Sequence, residues 1–232
     1  MKNITKDLCV VIQARLSSER LPAKMLKPLG DTNLFQLAIR KVKESGVPME
    51  DFFVSVYEPE LIEVALGEQV NIFERTEESA TAESEVGTMF EWYNKLPYKH
   101  VMMINPCLPF LKPETIKKFY NTFKISGVVS MFAVTKKKNY YWNADYELVT
   151  PWPDGQELLN TKAVEHTYEA AHALYGSPMD LIGKGKFMGD HKGNWKRGNP
   201  ILMPIEEEEA FDIDYPWQFE LARGRYEYSA NR

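Results

Sequence analysis

The sequence predicts an α/β fold with a doubly wound, mostly parallel sheet, and three observations carry that reading. Short runs of β-branched and aromatic residues alternate with helical patterns through the first half of the chain. A composition of 44% hydrophobic and 12% aromatic residues over 232 positions is enough for a single domain to bury its own core. From about residue 136 the rhythm changes to lysines, clustered aromatics and turn residues, so a small excursion from the sheet is expected over roughly 136–200.

Taken in order, Leu8–Ile12 (LCVVI) reads as a buried strand. Asn33–Ser45 places Leu34, Leu37, Ala38, Ile39 and Val42 near one helical face, and Gly46 suits a C-terminal cap. Phe52–Tyr57 reads as a strand, and Pro59 opens a short helix through Leu66 at a position that needs no amide donor. Val70–Phe73 is a short strand, Ser84–Leu96 a helix, His100–Ile104 a strand. Pro113 starts a helix to about Ile125, and Gly127–Val134 is a further buried strand. Met188–Pro200 (MGDHKGNWKRGNP) is polar and glycine-rich and reads as a mobile loop. Regular structure returns with ILMPI, FDID and a last helix opened by Pro216. In such sheets ligands bind beyond the carboxyl ends of the strands, so functional residues are expected in the loops that follow strands.

A net charge of −5 argues against broad nucleic-acid binding, which depends on lysine and arginine neutralising phosphates. Two cysteines, Cys9 and Cys107, lie in or beside apolar runs and make neither a disulfide framework nor a zinc pattern. The first apolar run is ended by Gln13 and Arg15 too early for a signal peptide, and no segment approaches the ~20 apolar residues that span a bilayer. A reducing, cytoplasmic setting without a membrane partner is expected.

Gln13 to Gly30 (QARLSSERLPAKMLKPLG) directly follows the first strand and holds Arg15, Arg20, Lys24 and Lys27. Alone, such a loop is a solvated basic surface. Placed after strand one, it suits a polyphosphate: arginine grips phosphate through two donors, lysine acts as a compact charge, and fixed cations stabilise a departing pyrophosphate. It is neither a Walker loop nor GxGxxG. Near the other end, EEEEAFDIDYPWQ spans Glu206–Gln218. Glu206–Glu209 reads as a solvated acidic stretch. Asp212 and Asp214 alternate with Phe211 and Ile213, so an extended strand would turn both carboxylates to one face, where they could share a Mg²⁺ ion.

The order R-x-x-S-x-R-L-P-x-K-x-L within VVIQARLSSERLPAKMLKPLG resembles the opening of the CMP-sugar synthetase (cytidylyltransferase) family, which activates sialic acids, related nonulosonic acids and Kdo. FDIDYPWQFELA is similar to the closing motif of that family. The resemblance implies a single Rossmann-like nucleotidyltransferase domain over 1–232. It implies CTP contacts from Gln13, Ala14, Arg15, Ser18, Arg20 and Lys24. It adds Arg75, Thr81 and Ser84 from NIFERTEESATAES, and Asn105 from INPCLPFLKP. It gives Lys24, Arg15, Asp212 and Asp214 the catalytic roles, with Asp212 and Asp214 as Mg²⁺ ligands. It also implies a homodimer, with the 136–200 excursion serving the acceptor and the dimer.

The chain departs from the family pattern in three places: Ala80 and Cys107 stand where acids are usual, and Gln218 replaces a third acid. Within 136–200 no acceptor motif aligns, and Lys162, His166 and Tyr168 are candidates by composition only. The expected reaction is transfer of CMP from CTP to a small acidic acceptor, first an acidic sugar. A phosphonate or phosphorylated acceptor, or a non-catalytic nucleotide sensor of the same fold, are the alternatives. A UTP- or GTP-dependent enzyme acting on sugar 1-phosphates is disfavoured by the missing G-G-x-G-[ST]-R opening.

Overall fold

The computed structural model describes residues 6–82, 85–126, 130–186 and 200–230. Strand β1 (Lys6–Gln13) sorts the core by its period of two. Leu8, Val10 and Ile12 face an apolar layer with Phe35, Ile39, Phe119 and Ala222. Cys9 and Val11 face a second layer built on Trp92, Tyr98 and Ile182. Burial on both faces is what a near-continuous apolar strand such as LCVVI demands.

Six further strands complete the sheet: β2 (Phe52–Val56), β3 (Asn71–Glu74), β4 (Tyr98–Ile104), β5 (Met131–Lys137), β6 (Thr167–Pro178) and β7 (Ile201–Pro204). Their order is β3-β2-β1-β4-β6-β5-β7. All pairs are parallel except those of β6, which runs antiparallel to β4 and β5. Helices α1 (Leu34–Ser45), α2 (Pro59–Gly67), α3 (Glu77–Thr81), α4 (Val86–Met89), α5 (Pro113–Ser126), α6 (Met179–Gly183) and α7 (Pro216–Ala230) connect them. Helix α1 is closed as the sequence predicts. Asn33 Oδ1 accepts from Gln36 N at 2.9 Å, and Gly46 takes φ 77°. Among the described residues no helix is long and apolar enough to cross a membrane.

Three expectations are revised. The helix expected over 84–96 is broken into α4 and a 3-10 turn, Glu91–Asn94, because Trp92 leaves the helical path to insert fully into the core. Within the expected excursion, Thr167–Pro178 is a central strand, so among the described residues the chain is out of the sheet over 138–166 and again from α6 onward over 179–186. Its pattern was hard to read because the β5–β6 register shifts between Phe132 and Val134 and His172 takes φ 50°. Gly176 is required there, since a Cβ would lie 2.7 Å from the Phe123 ring. The FDID segment is not a strand, and its backbone reaches a neighbour where Ile213 N donates to Cys107 O at 3.0 Å. Met188–Pro200, apart from Pro200, lies outside the described residues.

Candidate active site

Strands β1 and β4 are parallel neighbours between which the strand order reverses, with β2 and β3 beyond β1 and β5 to β7 beyond β4, which makes their carboxyl ends a topological switch point. The loops that follow them, 14–30 and 105–112, splay apart there and leave two adjoining clefts. One, of about 430 Å³, is lined by Arg15, Ser17, Ser18, Glu19, Arg20, Lys24, Met25, Cys107 and Asp214. The other, of about 600 Å³, is lined by Arg75, Ala80, Ala82, Met89, Phe90, Met103, Ile104 and Tyr175. Gln13, Ala14, Arg15, Asn105 and Pro106 border both.

The smaller cleft is basic. Ala23 sits in the left-handed region at φ 53°, a conformation a non-glycine residue holds only when its surroundings enforce it. The next side chain, Lys24, is 12% exposed and donates from Nζ to Ile213 O at 2.7 Å and Asp214 Oδ1 at 3.2 Å. Burial works against the Lys24 charge, but Cys107 and Asp214 outweigh it and hold the ammonium above the ordinary lysine value. Arg20 reaches the same carboxylate oxygen at 2.8 Å, and its guanidinium lies 5.1 Å from the Tyr215 ring centre. Two ends of the chain, some 190 positions apart, thus meet at Asp214.

Arg75 follows β3 and is 4% exposed. It donates to Ala14 O at 2.8 Å, while its Nε is buried with no hydrogen-bond partner among the described residues. Burial, then repulsion from Arg15, lowers its guanidinium to about 10, with Glu58 pulling the other way. It remains charged at neutral pH beside the larger cleft. Gln13 is committed inward: its Oε1 accepts from Trp92 Nε1 at 2.9 Å and its Nε2 donates to Met89 O at 3.2 Å.

Asn105 ties the second loop to the acidic segment, donating to Asp212 Oδ2 at 3.1 Å and to His172 O at 2.9 Å. The other Asp212 oxygen, Oδ1, is buried with no hydrogen-bond partner among the described residues. Burial, then the charge of Asp214, raises the Asp212 carboxyl above the usual aspartate value. A hard cation relieves both conditions, so Asp212 and Asp214 fit Mg²⁺. Among the described residues no cluster of three or more His, Cys, Asp or Glu forms a closed metal cage. An ion held by two carboxylates keeps its remaining positions for water and phosphate, as Mg²⁺ does. Burial pushes the Cys107 thiol up to about 11, so its pull on Lys24 acts only in the alkaline range, and at neutral pH Asp214 is the anion that faces Lys24.

Not every expected residue reaches the clefts. Thr81 is exposed and its hydroxyl bonds back to Glu77 O and Glu78 O, at 3.0 and 3.4 Å. Ser84 lies outside the described residues. Glu209, expected in solvent, is 2% exposed and accepts from Lys112 N at 3.0 Å. His166 pairs with Tyr168 in the excursion, at 3.2 Å, beside a separate cavity of about 400 Å³ that shares no lining residue with the two clefts. Three participants were missed. His172 and Tyr175 are joined at 2.9 Å; His172 draws the Asp212 carboxyl down, burial and then the Asp212 charge push the Tyr175 phenol up, and Lys41 is buried behind loop 105–112. The first two sit on the strand that was not recognised, and Lys41 looks like an ordinary helix-surface lysine in the sequence.

Residues 9–222 match the cytidylyltransferase family model, and the chain belongs to that family. It is therefore a nucleotidyltransferase that uses CTP. It is similar to the CMP-N,N'-diacetyllegionaminic acid synthase of Legionella pneumophila, 27% identical over 220 residues that span 90% of this chain and 91% of that protein. Its fold matches CMP:2-keto-3-deoxy-manno-octonic acid synthetase, solved with CTP, with a TM-score of 0.70 at 13% identity over 97% of this chain and 100% of that one. The 4-diphosphocytidyl-2C-methyl-D-erythritol synthase of Anaerococcus prevotii follows at 0.65 and 13% identity, covering 96% of both chains.

Proposed function

We propose that this enzyme joins CMP to an acidic sugar, a nonulosonic or ulosonic acid, and releases pyrophosphate. The observation that carries the reading is the meeting of Lys24 and Arg20 with Asp214, beside an Asp212 oxygen that has no hydrogen-bond partner among the described residues. Cations for a triphosphate and carboxylates for its counter-ion stand at one sheet edge.

CTP lies with its phosphates over loop 14–30, where Arg15, Arg20, Ser18 and Lys24 neutralise and orient them. Asp212 and Asp214 would hold Mg²⁺, which when bound supplies charge neutralisation and polarisation at the α-phosphate. The acceptor hydroxyl attacks the α-phosphorus in line and loses its proton to solvent, the bond from the α-phosphorus to the bridging oxygen of the β-phosphate breaks, and Lys24 and Arg20 stabilise the charge of the departing pyrophosphate. Without CTP, Asp214 keeps both side chains at the cleft. The larger cleft joins Arg75 and Asn105 to apolar walls from Met89, Phe90, Met103 and Tyr175. Arg75 and Asn105 keep their expected contacts with CTP, and the apolar part of the cleft beside them suits an acidic sugar carrying acyl or deoxy groups; the compound in the name of the Legionella pneumophila relative carries two acetyl groups.

We extend the reading to the assembly and setting. The excursion exposes Trp142, Tyr146, Val149, Leu158 and Leu159, and a second copy of the chain covers them. The reduced thiols of Cys9 and Cys107 fit a reducing, cytoplasmic setting.

The test is pyrophosphate release with each of four nucleoside triphosphates against acidic sugars, phosphonates and phosphorylated alcohols. CTP with a nonulosonic acid should react fastest. Lys24→Ala should lose about 10²–10³ in rate with the fold intact; near-normal turnover in that variant sinks the phosphate assignment. CTP binding without release for any acceptor would identify a sensor instead.

A further inference from the structure

Loop 105–112 faces the phosphate cleft with Asn105, Pro106 and Cys107. Its backbone is short of donors, because Pro106 and Pro109 supply no amide proton, and within the loop only a long bond, Leu111 N to Leu108 O at 3.4 Å, serves the carbonyls of Leu108 and Pro109 among the described residues. Lys41 fills that gap from behind. It projects from α1, is 9% exposed, and donates from Nζ to Leu108 O at 3.2 Å and to Pro109 O. Glu209 holds the far end of the loop, accepting from Lys112 N at 3.0 Å with Lys112 Nζ 4.0 Å away. Burial lowers the Lys41 ammonium to about 8, and Glu209 is the largest influence holding it up.

A buried lysine and a buried glutamate are costly where packing alone is needed. Here both end on the backbone of one loop, and that loop is joined to the acidic segment. Asn105 Nδ2 donates to Asp212 Oδ2 at 3.1 Å, and Ile213 N donates to Cys107 O at 3.0 Å. Glu209 itself lies three positions before Asp212. Neither Lys41 nor Glu209 lines either cleft.

We propose that Lys41 and Glu209 are positioning residues for nucleotidyl transfer, two buried groups of opposite charge that each bond to the backbone of loop 105–112 and fix it from behind, and so set Asp212 and Asp214 against the phosphates. The inference rests on the roles of Asp212 and Asp214 given above. It predicts an effect on chemistry and on metal dependence that loosened packing alone does not produce.

The experiment compares Lys41→Met, Lys41→Arg, Glu209→Gln and the double variant Lys41→Met/Glu209→Gln. Pyrophosphate release is titrated with MgCl₂ and with CTP, and thermal unfolding is followed in parallel. Each neutral single variant should lose about 10–100-fold in kcat and need more Mg²⁺ for half-maximal rate, with KM for CTP within about threefold. Lys41→Arg, which keeps the charge and donors, should recover part of the loss. The double variant leaves no uncompensated buried charge, so it should regain thermal stability but not rate. Rate returning in step with Tm in the double variant would overturn the proposal. If Lys41→Met does not fold, Glu209→Gln decides, since it keeps an acceptor for the Lys112 amide; normal kcat and Mg²⁺ dependence in it count against the clamp. If the unmodified enzyme releases no pyrophosphate, the proposed function fails separately. Amide exchange then judges the clamp: lost protection over 105–112 and 211–214 in Glu209→Gln supports it, and unchanged protection overturns it.

Discussion

The edge formed by β1 and β4 and the excursion over 138–166 are both rich in polar and aromatic side chains, yet they are wired differently. At the edge, partners are remote in sequence: Lys24 with Ile213 and Asp214, Asn105 with Asp212, Arg75 with Ala14, Trp92 with Gln13. In the excursion they are mostly local, such as Asn143 with Glu147 and Trp152 with Gln156, and Tyr140 packs on both Trp142 and Trp152. Tyr140 and Val164 are buried, but several of its large apolar side chains point outward, Tyr146 at 90% exposure and Leu158 at 77%. Remote contacts hold charges in a fixed geometry before substrate arrives. Local contacts shape a surface and leave it open for something else to cover.

The largest effect should come from cutting the edge at Asp212. Asp212→Asn removes a metal-binding charge and should lower pyrophosphate release by about 10²–10³. The same change should stabilise the protein. Because the folded state raises the Asp212 carboxyl, it binds more protons than the unfolded chain, and stability falls as pH rises from the ordinary aspartate value through the raised one. Asp212→Asn should thus have a higher Tm than the unmodified enzyme at neutral pH, the difference vanishing in acid. Equal Tm values at neutral pH would show that Asp212 is not strained by burial. A smaller loss is expected at the rim, where Arg20 is half-exposed. Arg20→Ala should raise KM for CTP about tenfold, an effect that shrinks with added salt. An unchanged KM would remove Arg20 from the phosphate site.

In the excursion the expected effect is on assembly. Replacing Tyr146, Val149 and Leu158 by serine should shift the protein to smaller species in sedimentation, with CTP affinity unchanged within about twofold. A parallel loss of CTP affinity would mean the two regions are not separable. The smallest effect is expected for Thr81→Ala, whose hydroxyl is spent on its own helix. A rate within about twofold of normal fits that placement, and a tenfold loss would mean α3 turns when nucleotide binds.

The sequence by itself determined strands β1 to β4 and helices α1 and α2, since LCVVI and the helix closed by Gly46 follow local periodicity and capping that no distant contact needs to rescue. It also placed the basic loop after β1 and the paired aspartates near the other end. Only the tertiary structure decided that these two segments meet, at Asp214, and that Asp212 and Asp214 do so from an extended loop and not a strand face. It placed β6 antiparallel inside the sheet, a pairing with no local pattern because its register shifts and His172 takes a left-handed backbone. It also turned Lys41 and Glu209 inward. In sequence a lysine on a helix and the last of four glutamates read as solvated, and burial becomes favourable only when carbonyls and an amide from a proline-rich loop supply their partners.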